Sequence, residues 1–319
     1  MQKQSAPANE SMLCTLHSYD ANHQADNLVN WQQEYDQLSP GSFAGTIHEI
    51  NFSHIHAFRE DTNLGLRQQC RVEDGGLWLG FSANAKSCRI NNERTVTDQL
   101  LCRPGSLDFE LLTPDNFSIF GLVLHKSLFS EYANEANLQP ICSITDELWL
   151  DTIDEQTLMT FRQYLTLLLT PAGSRWSQST QEHILQDAVL ELLSQVQPSS
   201  PIQVAPQQRQ RIMARVHQYL TETRLKSPVT INELCQAVHV SRRTLQYTFN
   251  HCCDMSPKQY IQLIRLNQVR RALLNCEHDS IAEAAFDFGF FHLGQFSHDY
   301  KRLFGETPQQ TRLREVIEV

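Results

Sequence analysis

Residues 229–257 and 280–308 are two versions of one pattern, and this duplication restricts the fold of the 319-residue chain more than any other feature. Ile231 aligns with Ile281 and Glu233 with Glu283 at an offset of 50. Past one inserted residue the offset becomes 51, so that Leu245 meets Phe296, Phe249 meets Tyr300 and Pro257 meets Pro308. The matched positions are apolar where a helix must be anchored on its predecessor and polar where it faces outward, which is the layout of a helix-turn-helix. Each unit closes with a proline eight residues after its aromatic anchor. A bundle whose arginines are merely solvated has no need of the pattern twice in register.

In the first unit Leu245 and Phe249 form the anchor, with Leu234 and Val238 of the preceding helix against them. That leaves Ser241, Arg242, Arg243, Gln246 and Tyr247 at the outer, N-terminal end of the helix, the end that enters a major groove. Arginine binds guanine O6 and N7 in bidentate fashion and glutamine binds adenine N6 and N7, each pair contributing roughly 1–3 kcal/mol of base discrimination. Backbone amides at Ser241 or Thr230 suit phosphate oxygens. In the second unit Phe296 and Tyr300 are the anchor. The outer face is Leu293, Gly294, Ser297 and His298, with Lys301 and Arg302 further along for phosphates. Gly294 removes a side chain and His298 carries full charge only below its pKa, so the first helix is expected to supply most base specificity.

The charge distribution agrees with this division. The whole chain holds 26 Lys+Arg and 36 Asp+Glu, a net charge of −10. Residues 207–319 hold 15 and 11 of these, a surplus of four cations, which leaves 11 and 25 in the remainder, a surplus of fourteen anions. A cationic C-terminal part joined to an anionic N-terminal one is the asymmetry of a nucleic-acid-binding module tied to something else. No run of 18 apolar residues is present to span a membrane. The polar start MQKQSAPANE lacks the apolar stretch of a secretion signal, which predicts a cytoplasmic protein. Nine cysteines, an odd number without paired zinc spacing, are expected to be reduced thiols, the adjacent Cys252 and Cys253 included.

The clearest seam is 195–208, QVQPSSPIQVAPQQ, whose three prolines end the preceding helix. Residues 1–194, 195–208 and 209–319 therefore read as a first domain, a linker and a second domain. Residues from about 43 to 125 alternate short β-rich runs, such as LWLGF (77–81) and FSIFGLVL (117–124), with turn residues. Residues 126–135 and 152–196 read as helices. The stripe Ile184, Ala188, Leu192 and Val196, with Leu185, Val189 and Leu193 beside it, fits either full burial within one subunit or an additional helix-to-helix dimer contact. Beyond the seam everything reads as helix: 210–225, 231–238 after a Thr230 cap, 242–252 after a Ser241 cap, 257–274 opened by Pro257, a fifth helix capped by Ser280 and ended at Gly289, a sixth at about 293–304, and a short last one from Pro308.

HVSRRTLQYTF (239–249), IRLNQVRRALL (264–274) and above all GFFHLGQFSHDYKRLFGETP (289–308) resemble the AraC/XylS family of bacterial transcription regulators. The resemblance implies two three-helix subdomains joined by one long helix, with recognition helices in successive major grooves about 34 Å apart. The family's base-reading positions fall on Arg243, Gln246 and Tyr247, and on Leu293, Gly294, Ser297 and His298. His298 stands where the family usually has arginine. In the N-terminal half WQQEYDQLSPGSFAG (31–45), FREDTNLGLRQQC (58–70) and RPGSLDFELLTPDNFSIFGLVL (103–124) look most like the branch that regulates ethanolamine-utilisation operons. That branch implies ethanolamine and adenosylcobalamin as effectors, although segments of the LSPGSFAG type recur in regulators of other small molecules. The fold class expected is thus α+β: an N-terminal cupin-like β-barrel with flanking helices, which senses an effector and dimerises, and a C-terminal all-α domain of two helix-turn-helix subdomains joined by a long helix.

Two further groupings allow other chemistry. His54, His56 and Glu60 form H-x-H-x3-E, the ligand spacing of the first metal motif in cupin barrels. A second motif should add another histidine some forty residues on, and RPGSLDFELL contains none. Arg59, Glu60, Asp61, Arg67 and Arg71 cluster near expected strand ends, where they either pair with one another or line a pocket. There is no Gly-rich phosphate loop, no G-x-S-x-G elbow and no credible Cys/His pair for nucleophilic catalysis. The chain reads as a non-enzymatic, sequence-specific DNA-binding regulator of transcription, an activator answering a small-molecule effector. Its expected partners are promoter DNA, RNA polymerase and a second copy of itself. The rival reading is a cupin-type metal-dependent enzyme or metal sensor fused to the helical module.

Overall fold

A computed structural model describes residues 13–28, 31–97, 99–105, 107–130, 149–171, 176–194, 208–223 and 229–314. The β-rich stretch begins earlier than its sequence pattern suggests. β1 (Leu13–Ser18), α1 (Ala21–Asp26) and β2 (Trp31–Gln37) precede β3 (Gly45–Asn51) and β4 (Ile55–Thr62). There follow β5 (Leu66–Val72), β6 (Gly76–Ser82), β7 (Arg89–Ile90), β8 (Glu93–Arg94), β9 (Gln99–Pro104), β10 (Asp108–Thr113), β11 (Phe117–His125), α2 (Ser127–Ser130) and β12 (Trp149–Thr152). Strand β2 escapes a hydrophobic pattern because WQQEYDQ has apolar residues only at Trp31 and Tyr35. Its other face carries Glu34 and Asp36 toward charged partners.

The strands form an antiparallel seven-stranded sheet, β1-β3-β4-β11-β6-β9-β12, and a five-stranded one, β2-β5-β10-β7-β8. The described strands do not close into a single barrel: none pairs from one sheet to the other, and the two sheets stack face to face. At one seam α1 packs against β1 and β3 of the first sheet and β2 of the second, with β1 and β2 the edge strands there. Alternation then divides the side chains. Tyr35, Cys70, Trp78, Phe109 and Ile119 fill the space between the sheets, where Trp78 stacks on Phe109 at 4.6 Å. Residues of opposite parity on the same strands, such as Phe81, Leu122 and Leu124, face outward onto α3 (Glu155–Leu168) and α4 (Gln178–Ser194). On α4 the inner row Leu185, Val189, Leu192 and Leu193 is buried within the subunit, whereas Ile184 and Ala188 are half-buried. The remainder of the helix expected at 126–135, residues 195–207 of the expected linker and Val196 lie outside the described residues.

The second half is α5 (Gln208–Glu222), α6 (Ile231–Ala237), α7 (Arg242–Cys253), α8 (Pro257–Leu274), α9 (Ile281–Asp287), α10 (Leu293–Phe304) and α11 (Pro308–Arg314). A capping box between Thr230 and Glu233 starts α6, and Ser241 Oγ accepts from the Thr244 amide at 3.1 Å to start α7. Long α8 is buried on several sides because it serves three neighbours. Tyr260, Ile261 and Ile264 join the core of the first unit; Leu266, Val269 and Leu273 join that of the second. Asn267, Arg270 and Arg271 turn to the sheets.

The turn between the paired helices needs a left-handed residue. Gly289 supplies it in the second unit at φ 78° and His239 in the first at φ 55°, and in both the next amide bonds back to the helix (Phe290 N to Ala285 O, Val240 N to Cys235 O). No described helix is long and apolar enough to cross a membrane. Cys252 and Cys253 are buried free thiols, and burial pushes the Cys252 thiol up to about 11.

Candidate nucleic-acid interface

All eleven positions marked in the sequence are solvent-exposed, and each lies on one of two equivalent helices or its cap. On α7, Leu245, Thr248 and Phe249 are buried, so Arg242, Arg243, Gln246 and Tyr247 point away from the core, with Ser241 at the cap. Tyr247 is 61% exposed, an unusual state for an aromatic ring, and the Arg243 guanidinium lies 5.5 Å from its centroid. Gln246 donates to Asn250 Oδ1 at 2.9 Å, which holds its amide ready at the surface. On α10, Phe296, Tyr300, Leu303 and Phe304 are buried; Leu293, Gly294, Ser297, His298, Lys301 and Arg302 are outside. A Cβ at Gly294 would meet nothing within 4 Å, so that position is open space. His298 Nδ1 and an Arg302 Nη2 approach Asp299 at 3.5 and 3.2 Å. The N-termini differ: Ser241 caps α7 with its side chain, whereas His292 at the start of α10 makes no capping bond.

Between the two units lies a cleft of about 740 Å³, bounded by the start of α6, the exposed side of α8 and the entry to α10. Lys258, Gln262 and Arg265 line it from α8, at the i, i+4, i+7 spacing of one helical face, and Arg302 lines it from α10. Sequence reasoning passed over this polar stripe because it followed only the inward residues of α8; the helical spacing was the available signal.

The double-helix-turn-helix is held against the outer face of the five-stranded sheet by buried charge. Arg67 donates Nη1 to Asp36 at 2.9 Å and Nε to Glu110 at 2.6 Å, with its guanidinium 6.0 Å from the Tyr260 ring. Tyr260 Oη lies 3.0 Å from His217 Nε2; burial pushes the His217 pKa down, favouring the neutral ring. Arg271 reaches Glu34 at 3.0 Å, Asp36 at 2.9 Å and the Tyr35 carbonyl at 3.1 Å. Asn267 brackets Gln37, accepting from its backbone N–H at 2.8 Å and donating to its C=O at 3.0 Å, which satisfies the last residue of β2 on its free edge. The second unit is fastened through Arg270, which donates to Asp20 at 2.5 Å and Glu306 at 2.8 Å and lies 4.6 Å from the Phe304 ring centroid. Burial pushes the Asp20 carboxyl up, but the charge and hydrogen bond of Arg270 more than offset this and hold it below its ordinary value. Gly305 ends α10 at φ 73°, and a Cβ there would stand 2.4 Å from Ser42 Oγ, so only glycine permits this approach of loop to helix.

The other groupings come apart. His54 meets Ser127 at 3.0 Å, His56 pairs with Glu49 at 2.8 Å, and Glu60 accepts from Gln24, Gln68 and Tyr35, so the H-x-H-x3-E residues have three separate sets of partners. Among the described residues no three His, Cys, Asp or Glu side chains are arranged to hold a metal ion. Of the arginine-carboxylate grouping, Arg59 and Asp61 pair with one another and the rest find separate partners. Its members do sit near the ends of β4 and β5, but alternation sends them to different faces, so they do not form one cluster. Arg59 pairs with Asp61, Arg71 with Asp108, Arg67 joins the helical half and Glu60 turns between the sheets. Burial pushes the Glu60 pKa up to about 6 against the hydrogen bonds from Gln24, Gln68 and Tyr35.

Comparison with known proteins agrees with the duplicated pattern. The XylDLEGF operon transcriptional activator 3 of Pseudomonas putida is 35% identical over 102 residues, 31% of this chain and 30% of that protein. The HTH-type transcriptional regulator ArgR of Pseudomonas aeruginosa is 36% identical over 93 residues, 29% of this chain and 28% of that protein. The matched stretches thus span about a third or less of these two relatives. The crystal structure of the AraC-like transcriptional activator CuxR covers 72% of this chain and 82% of its own at 15% identity, with a TM-score of 0.36. Residues 234–314 match the family described as a helix-turn-helix domain, which makes the C-terminal units of this chain a helix-turn-helix domain.

Proposed function

We propose that the chain is a sequence-specific DNA-binding regulator of transcription of the AraC/XylS type. The observation that carries this reading is the duplicated helix-turn-helix with both outer faces, Ser241 to Tyr247 and Leu293 to Arg302, open to solvent. The similarity to a transcriptional activator of Pseudomonas putida adds the expectation of activation through RNA polymerase. In this reading residues 1–194 sense a small molecule and dimerise, 195–208 link, and 209–319 bind promoter DNA. The stacked sheets serve as a cupin-like sensor, and ethanolamine with adenosylcobalamin is the effector pair to try first. The half-exposed Met159 and Leu167 on α3, beside α4, offer a surface for a second copy. Effector binding acts by shifting how the sensor holds α8, since a ligand moves an equilibrium only through its differential affinity for the two states.

The test is a binding selection from random duplexes with wild type, Arg243→Ala and Gln246→Ala. Loss of preference at one or two base pairs, each by about 1–3 kcal/mol, is the outcome expected of direct readout. Uniform weakening at every sequence refutes base reading by these residues, and no enrichment by wild type refutes the regulator.

A further inference from the structure

The cleft between the two units shares Arg302 with the outer face of α10 and is otherwise lined by the start of α6, by α8 and by the entry to α10, and its chemistry is lopsided. Lys258 and Arg265 on α8 and Arg302 on α10 bring three cations to it. The one carboxylate in its lining, Asp299, has its side chain 7% exposed and is already engaged by Gln262 at 2.8 Å and Arg302 at 3.2 Å. Glu233, beside the rim, is turned onto the Thr230 amide at 2.7 Å, where the capping box holds it. Between the cations the wall is apolar, from Ile231, Ile261, Phe290 and Phe291. Phe291 is 60% exposed, so this wall is open to whatever enters.

We infer that this cleft takes the sugar-phosphate strand of duplex DNA that crosses from one major groove to the next, with Lys258 and Arg265 as phosphate contacts additional to those on the two outer helix faces. The inference rests on the DNA-binding reading above. Charge complementarity selects the occupant: a polyanion with one charge per few ångströms matches spaced cations. The apolar wall suits the deoxyribose faces between phosphates. Placement supplies the second reason. A strand spanning two units must pass the start of α6 and the entry to α10, and the cleft is bounded by both. Because such contacts carry no sequence information, they fix the separation and register of the two units on the duplex and leave base choice to α7 and α10.

The experiment measures affinity for a fluorescein-labelled duplex of arbitrary sequence, about 30 base pairs or three helical turns long, as sodium chloride is raised. The full-length chain is used throughout. Removing one cation from a phosphate reduces the slope of log affinity against log salt by about 0.9, so Lys258→Gln with Arg265→Gln should lower it by about 1.8. Lys258→Arg with Arg265→Lys keeps both charges and should keep the slope, which separates charge from helix packing. Lys86→Gln is a single charge removal on the sheet half and should leave the slope as it is. An unchanged slope in the double glutamine variant, with binding intact, overturns the cleft assignment alone. Failure of the wild type to bind the duplex even at low salt overturns the regulator reading, and this inference with it.

Discussion

Replacing Arg270 by methionine isolates the junction between the sheets and the second helix-turn-helix unit. The side chain is 6% exposed and joins Asp20, at the cap of α1, to Tyr300 on α10 and to Glu306 and Thr311 beyond it. Methionine keeps most of the volume and removes the charge. Glu306 retains Arg314 at 2.7 Å, so the damage falls on Asp20, whose carboxylate is 1% exposed and, among the described residues, keeps hydrogen bonds from Asn22 alone. Leaving one member of a buried pair without its counterion costs about 3–5 kcal/mol. The sign of the pH dependence follows from the present state of Asp20, whose pKa lies below its ordinary value of 3.8. In wild type it therefore contributes stability that is present above that value and is lost as pH falls through the folded pKa. Without Arg270, burial dominates and the carboxyl moves up, so the penalty of the variant should shrink as pH is lowered from neutrality toward about 4.

Urea denaturation with two probes reads the effect. All four tryptophans precede residue 195 and report the sheet half, while far-ultraviolet circular dichroism weights the helices. The two transitions should coincide in wild type and separate in Arg270→Met, with the helical half unfolding first. Asp20→Asn combined with Arg270→Met should cost less than the sum of the singles, as expected for groups in contact. A penalty under about 1 kcal/mol at neutral pH, or one that stays constant down to about pH 4, refutes the reasoning.

Two further predictions concern single residues. Glu60, raised from 4.5 to about 6 by burial, should favour the folded state below its unfolded pKa and lose that contribution as pH rises through about 6, a swing of about 2 kcal/mol. Glu60→Gln should flatten this part of the stability profile, and a difference from wild type that is constant between about pH 5 and about pH 8 counts against it. His239→Gly places glycine at the left-handed turn position that Gly289 occupies in the second unit, and should stabilise the first unit by about 0.5–1 kcal/mol in thermal unfolding. A destabilised variant would show that the imidazole does more than occupy the turn.

The helical half was legible because its information is local. Ser241, Thr230, Pro257, Ser280 and Gly289 each act within a few residues of themselves, and the starts of four helices and the turn at Gly289 follow from them. The exposed positions on α7 and α10 followed from the same periodicity. The sheet half was legible only where both faces of a strand are apolar, as in β6 and β11. Strand β2 was missed because one of its faces is apolar only at Trp31 and Tyr35 and the other is charged, and the charges have meaning only beside Arg67 and Arg271.

By itself, the sequence determined two helix-turn-helix units in register, their caps and turns, and which side chains each anchored helix must leave outside. Tertiary structure alone decided that α1 packs where the edges of the two sheets meet, that Arg59, Glu60 and Arg67 part company, and that Arg270 and Arg271 hold the helices to the sheet half. The physical reason is range. A helix face is set by residues three and four apart, whereas a buried ion pair between residues 20 and 270 is invisible until the chain has brought low dielectric and both charges to one place.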